Sequence, residues 1–294
     1  MTQQQVLVIG AGSLGGQFAA HLSRSGADVS ILETDLAIVG RVHTNGLVVG
    51  GSFGAHTARV PAFLTVDAAT AAKGRYDVAF VHVDSNNTDA AGRSAAAALK
   101  PSGFAVQIQN GLGNVEALMR AVGDTRVVAG STMCSAANNG PGLPLLTHHG
   151  PTSFGEWTGG SSERVRQVVS MFEHAGYDAV ADSNIQTKIW SKAILNSAIN
   201  PLCAASGLRL GEMARTPELD ALQDKVLAEL FAVVEANGIA EQGIDAEDLC
   251  RQIKAHSLSK FSRPSMLQVG QQQVYRCNSE CAMHDVHVCV PRQI

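Results

Sequence analysis

The sequence predicts an α/β fold in which an N-terminal domain with a doubly wound parallel sheet is followed by an all-α C-terminal domain. Up to about residue 181, short apolar segments alternate with helix-compatible segments, whereas from residue 182 onward the pattern is almost wholly helical. A length of 294 residues suits two such domains. We therefore predict one domain at residues 1–181 and a second at residues 182–294, in which residues 269–294 form an atypical tail.

The first elements of the chain follow a strand, turn, helix and strand order. Residues 6–9 predict a buried strand, residues 16–24 a helix, and residues 28–32 a second strand. The turn Gly10-Ala11-Gly12-Ser13-Leu14-Gly15 joins the first strand to the helix, and Glu33 ends the second strand. A G-x-G-x-x-G turn in this context, with an acid about 20 residues further on, is typical of a Rossmann domain that binds a dinucleotide.

The three glycines of this turn have separate mechanical roles. Gly10 allows the tight turn, Gly12 lets the backbone approach a pyrophosphate, and Gly15 permits close packing of the helix on the strand. The pyrophosphate is expected on the free amides at the helix N-terminus, and an acid after the second strand binds a ribose hydroxyl. The predicted cofactor-binding residues are Gly10, Ala11, Gly12, Ser13, Leu14, Gly15 and Glu33.

The later elements are predicted from apolar runs and helix signals. Fragments at 145–147 and 152–154 look like parts of hairpins at the far edge of the sheet, and Pro101 is expected to end a helix at 86–99. Thr216 followed by Pro217 is a good helix start. The other predicted strands are 78–83, 105–108 and 127–130, and the other predicted helices are 116–122, 163–175, 216–237 and one that opens at 245.

A polar stripe in the second domain is the strongest candidate for a site. Lys188, Lys192, Asn196 and Asn200 follow one another at steps of four through an apolar segment, so a helix places them on one side. A buried ammonium with two carboxamides is costly unless it faces a cleft that holds a polar ligand. The alternative is a structural helix whose lysines extend to water.

Composition agrees with a cytoplasmic enzyme. No apolar run is long enough to span a membrane, and the opening residues lack a charged signal-peptide start. A net charge of −4 gives no general basic surface for nucleic acid. Six cysteines in a chain of this length indicate free thiols.

Four motifs in the right order make the chain resemble the ketopantoate reductase family, the 2-dehydropantoate 2-reductases. They are the Gly10 to Gly15 turn and the segments 109–114, 190–202 and 263–268. The resemblance implies a Rossmann domain followed by a helical domain, an arrangement like that of 6-phosphogluconate dehydrogenase. It also implies NADPH-dependent reduction of the ketone of 2-dehydropantoate to pantoate, a step toward pantothenate and coenzyme A.

The resemblance also implies roles for individual residues. Lys192 matches the family's catalytic lysine, which donates to the ketone oxygen where negative charge develops. Asn110 matches an asparagine at the junction of nicotinamide and substrate, so it counts toward both binding sites. Asn196 and Asn200 match asparagines that orient the substrate and the lysine, and Ser265 matches a serine that binds the substrate carboxylate.

Two departures from the family pattern concern the cofactor. Glu33 stands where many relatives carry an arginine that meets a ribose phosphate, which favours NAD(H) over the NADP(H) that the resemblance implies. Whether Arg41 contacts the ribose phosphate is left open by the sequence. Asp84 replaces a lysine that usually lies near the cofactor, so one cationic contact is removed.

A third departure lies in the tail, where the family's active-site glutamate, about ten residues past residue 268, is missing. A disrupted reading frame is one explanation, and a specialised tail is the other. Five residues there offer zinc ligands, but their spacing matches no recognised finger, so no metal is predicted. They are Cys277, Cys281, His284, His287 and Cys289.

The sequence therefore predicts a nicotinamide-dependent reductase of a small 2-oxo acid, with ketopantoate as the leading substrate. Leu210 replaces a substrate-facing asparagine of some members, so another branched 2-oxo acid is the first alternative. A cofactor-binding protein with little or no turnover is the second, because the tail lacks the glutamate. The oligomeric state is left open, with a homodimer as one option.

Overall fold

The structure, a computed structural model, describes residues 4–260, 262–264 and 266–267. The chain divides into two compact units, Met1–Lys192 and Ala193–Ile294. Ser265 and the predicted tail at 269–294, with its hypothetical zinc ligands, lie outside the described residues.

Strands of the first unit form two sheets within the part of the chain that the structure describes. The strands are β1 Gln5–Ile9, β2 Asp28–Leu32, β3 Leu47–Gly51, β4 His56–Ala58, β5 Ala62–Phe63, β6 Tyr76–Val81, β7 Leu99–Gln107, β8 Val127–Thr132, β9 Ser135–Asn138, β10 Pro144–His148, β11 Thr152–Glu156 and β12 Ala179–Ala181. The larger sheet has the order β12-β11-β8-β7-β6-β1-β2-β5, and the smaller one has the order β4-β3-β10-β9.

The larger sheet confirms the predicted doubly wound arrangement. Its six neighbouring strands in the order β8-β7-β6-β1-β2-β5 are parallel, whereas β11 runs antiparallel to β8. The helices that connect these strands are α1 Ser13–Arg24, α2 Leu36–Asn45, α3 Val66–Lys73, α4 Thr88–Ala98, α5 Asn114–Val122 and α6 Glu163–His174. A longer helix, α7 Ile185–Ser206, begins in the first unit and continues into the second.

Side chains of β1 alternate between the two faces of this sheet. Val6 and Val8 belong to the core formed with α1 and α6, whereas Leu7 and Ile9 belong to the core formed with α4 and α5. This alternation is the period of two that a strand imposes, and it explains why β1 reads as a continuous apolar run. Both faces of the sheet are therefore covered.

Two predicted elements differ from the structure. The helix predicted at 86–99 is a short 3-10 helix, Ser85–Asn87, followed by α4, and Pro101 lies inside β7 instead of beyond a helix. Proline is tolerated there because it lies near the start of the strand, where the pairing of β6 with β7 is irregular.

The prediction that the fragments at 145–147 and 152–154 lie at the far edge of one sheet is wrong for the first fragment, although β10 does form a hairpin with the preceding strand β9. These fragments belong to β10 and β11, which lie in different sheets. β10 pairs with β3 and β9, whereas β11 pairs with β8 and β12, so only β11 lies near the far edge of the main sheet. The local pattern reveals a strand but not its partner.

The second unit is helical among its described residues. It contains the end of α7 and the helices α8 Leu210–Ala214, α9 Pro217–Ala236 and α10 Ala246–Ser259. The buried Gln223 side chain donates from Nε2 to the Ala198 carbonyl at 3.2 Å and to Ser257 Oγ at 3.3 Å, which joins α9 to its two neighbours. No helix within the described ranges is both long enough and apolar enough to cross a membrane.

Helix α1 is fixed by a buried glutamine and a buried histidine. Gln17 Nε2 donates to the carbonyls of Gly50 at 3.0 Å and Pro144 at 2.7 Å, and its Oε1 lies 3.1 Å from His21 Nε2. The ring centroids of His21 and His56 are 4.8 Å apart. Burial lowers the pKa of His21 to about 4, and the nearby His56 and Arg24 add to this effect.

This arrangement predicts a loss of stability in mild acid. The pKa of His21 is about 4 in the folded protein and about 6.5 in the unfolded chain, so between these values the unfolded chain binds more protons. The free energy of unfolding should therefore fall as the pH drops from about 6.5 toward 4, by up to about 1.4 kcal/mol per pH unit from this group. Urea unfolding at several pH values measures the slope.

His21→Gln should show a shallower slope than the wild type, since it removes one of the groups that must gain a proton. His174→Gln, at an exposed position near the end of α6, is the matched control and should keep the wild-type slope. An unchanged slope in His21→Gln would contradict the assignment.

Candidate active site

The carboxyl ends of the central strands define the location of the site. β1 lies between β2 and β6, and the helices that follow β1 and β6, α1 and α4, pack on opposite faces of the sheet. A crevice opens outside the carboxyl ends of parallel strands where successive connections take opposite sides, and ligands of doubly wound proteins bind there.

The glycine turn meets this crevice after β1. Gly10 has a φ of +90°, and a Cβ added to it would lie 2.9 Å from the His82 carbonyl oxygen. A Cβ added to Gly15 would lie 2.0 Å from the Gly10 carbonyl oxygen. Gly10 and Gly15 are therefore required by the fold of the chain itself, as their predicted roles imply.

Gly12 differs from these two glycines because the protein leaves space around it. Its φ is −63°, and a Cβ added there would meet nothing within 4 Å. Gly12 is the N-cap of α1 and provides no side-chain hydrogen bond, so no side chain of the cap residue satisfies the amides of the first turn. The geometry supports the prediction that a ligand approaches the backbone at Gly12.

Glu33 lies beside the turn and is already held by backbone amides. Its Oε2 accepts from the Ala11 amide at 2.8 Å, and its Oε1 accepts from the amides of Thr34 at 2.7 Å and Asp35 at 3.0 Å. A carboxylate has about four lone pairs, so one on Oε2 remains for a further donor. The backbone amide of Ala11, a residue of the glycine turn, thus holds the Glu33 carboxylate in place.

Asn110 is presented by a loop with its own hydrogen-bond network. Asn114 Nδ2 donates to the Asn110 carbonyl at 2.9 Å and to Ser85 Oγ at 3.2 Å, and Thr88 Oγ1 donates to Asn114 Oδ1 at 2.9 Å. Gln109 Nε2 donates to Thr88 Oγ1 at 2.9 Å. These bonds attach the loop after β7 to the segment after β6.

Sequence reasoning missed the supporting members of this network. Asn114 and Gln109 belong to the motif at 109–114, but only Asn110 received a role, and Thr88 received none. The available signal was an asparagine and a glutamine flanking two glycines, because such a loop needs side chains to satisfy its backbone carbonyls.

Lys192 lies at the same edge of the sheet. Its Nζ donates a short hydrogen bond to the carbonyl of Thr132, the last residue of β8. The Thr132 hydroxyl lies 2.7 Å from that of Thr152 on β11, which fixes this strand end. Burial lowers the pKa of Lys192 to about 8, although the nearby Cys134 thiol acts in the opposite direction. An ammonium with this pKa is charged at neutral pH and releases its proton readily.

The other members of the polar stripe also lie on α7. Lys188 is exposed, as the alternative of a lysine extending to water anticipates, whereas Lys192, Asn196 and Asn200 are half-buried. Lys192 belongs to the first unit and the two asparagines belong to the second. Because α7 is one continuous helix from 185 to 206, steps of four place them on one side of it.

Fold and site together define a dinucleotide-dependent oxidoreductase, with a glycine turn for the cofactor and a lysine of lowered pKa at the sheet edge. The family model described as ketopantoate reductase PanE/ApbA matches residues 6–159, and its C-terminal counterpart matches residues 184–271. The chain belongs to the ketopantoate reductase family.

Individual relatives agree with this assignment. The chain is 28% identical over 268 residues to a 2-dehydropantoate 2-reductase of Archaeoglobus fulgidus, with 91% of this chain and 85% of the relative covered. It is 28% identical over 258 residues to that of Halobacterium salinarum, with 88% and 84% covered.

Solved structures show the same fold. A 2-dehydropantoate 2-reductase from Methylococcus capsulatus superposes with a TM-score of 0.77 at 26% identity, covering 92% of this chain and 84% of that one. A D-mandelate dehydrogenase with NADH and anilino(oxo)acetate superposes with a TM-score of 0.78 at 18% identity, covering 95% and 93%, and shows likeness of fold alone.

The glycine geometry predicts different outcomes for two alanine variants. Gly12→Ala should fold normally, because its φ suits alanine and the added Cβ meets nothing, but it should weaken dinucleotide binding more than tenfold by crowding the ligand. Gly15→Ala should instead lower the free energy of unfolding by about 2 kcal/mol or more through the clash with the Gly10 carbonyl. Thermal unfolding and titration calorimetry separate the two effects.

Normal dinucleotide affinity in a folded Gly12→Ala variant would mean that this position faces no ligand. Normal stability of Gly15→Ala would mean that α1 is able to move away from β1.

Proposed function

We propose that the chain reduces the ketone of 2-dehydropantoate to pantoate with a nicotinamide dinucleotide. The observation that carries this proposal is Lys192, a half-buried ammonium whose pKa is lowered to about 8, at the sheet edge that also holds the glycine turn and the Asn110 loop. The substrate is a small 2-oxo acid, and the reaction takes place in the cytoplasm.

The residues present fit a dinucleotide. The open space at Gly12 and the first turn of α1, which no side chain caps, suit a pyrophosphate. When bound, the cofactor supplies a hydride to the keto carbon. In this proposal residues 1–181 form the cofactor domain, and residues 182–294 complete the substrate site.

Lys192 performs the proton chemistry of this reaction. Its ammonium donates a hydrogen bond to the ketone oxygen, stabilises the negative charge that develops there, and then transfers a proton to that oxygen. The neutral amine regains a proton from solvent. Asn110, Asn196 and Asn200 orient the substrate and the lysine, and Ser265 binds the substrate carboxylate.

We further propose that the chain prefers NAD(H) to NADP(H). The remaining lone pair of Glu33 Oε2 suits the 2′-hydroxyl of a ribose, whereas a 2′-phosphate in its place would meet a negative charge. The Arg41 side chain passes close to Gly142, where an added Cβ would lie 3.4 Å from Arg41 Cδ.

Lys192→Ala should lower kcat by a factor on the order of 10² or more, because the ketone oxygen loses its acid, while cofactor affinity stays nearly unchanged. Lys188→Ala, four residues earlier and exposed on the same helix, is the matched control and should retain wild-type kcat. In the wild type, kcat for reduction should decline above about pH 8 as the ammonium deprotonates. Steady-state oxidation of the cofactor with 2-dehydropantoate measures both effects, and unchanged turnover in Lys192→Ala would remove Lys192 from the mechanism.

The cofactor preference is measured as the ratio of kcat/KM with NADH to that with NADPH. The wild type should favour NADH, and Glu33→Gln should reduce the ratio by about tenfold, because the amide keeps an acceptor but loses the charge that repels a phosphate. Glu229→Gln, an exposed acid on α9, controls for the change in net charge. A wild-type preference for NADPH would refute the role given to Glu33.

A further inference from the structure

The loop between β7 and α5 carries two glycines next to Asn110. Gly111 and Gly113 have positive φ angles of +94° and +83°, and glycine loses more conformational freedom on folding than any other residue. Asn110 itself is exposed, whereas Gln109 before it and Asn114 after it are buried. The direction in which Asn110 points therefore depends on the contacts that its neighbours make.

The buried carboxamide of Asn114 makes three hydrogen bonds, and its two ends are not interchangeable. Nδ2 donates to the Asn110 carbonyl at 2.9 Å and to Ser85 Oγ at 3.2 Å. Oδ1 accepts from Thr88 Oγ1 at 2.9 Å. Because the Asn110 carbonyl only accepts, the nitrogen of Asn114 must face it. Both N–H groups of that nitrogen are thereby used.

Gln109 gives this network its direction. Its Nε2 donates to the Val83 carbonyl at 2.7 Å and to Thr88 Oγ1 at 2.9 Å, which uses both of its N–H groups. The Thr88 oxygen accepts there, so its own hydrogen is available for Asn114 Oδ1. The hydrogen bonds therefore run one way, from Gln109 through Thr88 and Asn114 to the Asn110 carbonyl. Thr88 is 2% exposed and Asn114 is 4% exposed, so water competes little for these bonds.

We propose that Asn114 is a positioning residue for Asn110, which holds the backbone of the loop so that the Asn110 carboxamide has one direction toward the nicotinamide and the substrate. This inference rests on the proposed function, in which Asn110 meets both molecules. Ser85 Oγ also donates to the Asn110 carbonyl, at 3.3 Å, so the segment after β6 supports the same carbonyl. A loop that is ordered in advance does not have to be ordered when the ligands bind.

Packing alone does not require an asparagine at the start of α5. A leucine of similar size would fill the same space, but it would leave the Thr88 hydroxyl and the Asn110 carbonyl without these partners. An aspartate would keep the acceptor for Thr88, but it would place an oxygen against the Asn110 carbonyl. Among these three side chains, only asparagine serves both neighbours.

A double-mutant cycle distinguishes positioning from packing. Asn114→Leu removes the three hydrogen bonds, and Asn110→Ala removes the carboxamide that they are proposed to direct. Val122→Ala, a buried position at the last residue of α5, is the matched control that lowers stability from the far end of the same helix. Thermal unfolding is recorded for every variant. If Asn114→Leu does not fold, Thr88→Val takes its place, and Thr88→Ser, which keeps the hydroxyl, should retain wild-type activity.

The decisive readout is kcat/KM for 2-dehydropantoate. With Asn110 present, Asn114→Leu should lower kcat/KM by about tenfold, because the loop then samples several conformations. In the Asn110→Ala background the same change should lower it by less than about twofold, because no carboxamide is left to direct. Val122→Ala should have the same small effect in both backgrounds. An equal loss from Asn114→Leu in both backgrounds, or no loss in either, would overturn the proposal.

Failure of the proposed function gives a different result. If the wild type oxidises neither cofactor with 2-dehydropantoate, backbone hydrogen exchange of residues 109–113 tests the network without any ligand. Faster exchange of this segment in Asn114→Leu than in Val122→Ala supports the hold on the loop. Equal exchange in the two variants overturns it.

Discussion

The close approach of α1 to the end of β1 is the constraint on which the rest of the first unit depends. Only glycine fits at Gly15, because its Cα faces the Gly10 carbonyl, and this contact sets where the helix starts. Two residues further along α1, Gln17 binds carbonyls of both β3 and β10, so the same helix holds the smaller sheet. The uncapped amides at the start of α1 are thereby fixed over the crevice.

Charge in the candidate site is controlled by two different means. The Glu33 carboxylate remains partly open to solvent but accepts three backbone amides, so its position is fixed before any ligand arrives. Burial lowers the pKa of Lys192 to about 8, so its proton is held less tightly than in water, while the Thr132 carbonyl accepts one of its N–H groups. Backbone amides therefore fix the position of the first group, whereas burial weakens the hold of the second on its proton.

Much of this architecture follows from local sequence, and the remainder depends on contacts between distant segments. The glycine turn, the alternation of strands and helices, and the start of α9 at Pro217 are encoded by neighbours in sequence, which is why they are predictable. The pairing of β10 with β3 and the network around Asn114 arise from contacts across 20 to 100 residues, for which no local pattern exists. Pro101 misled the prediction because an irregular strand start tolerates it.

The pairing of β3 with β10 has a consequence for how the chain acquires its structure during synthesis. Gly50 pairs with Leu145, so about half of the chain must leave the ribosome before the smaller sheet closes. Until then the β3–β4 pair has an open edge, and the Gln17 amide lacks one of its two acceptors. The helix that carries the glycine turn is thus among the first elements synthesised and among the last to gain all of its hydrogen bonds. A nascent chain stalled before β10 would expose an unpaired strand to neighbouring chains.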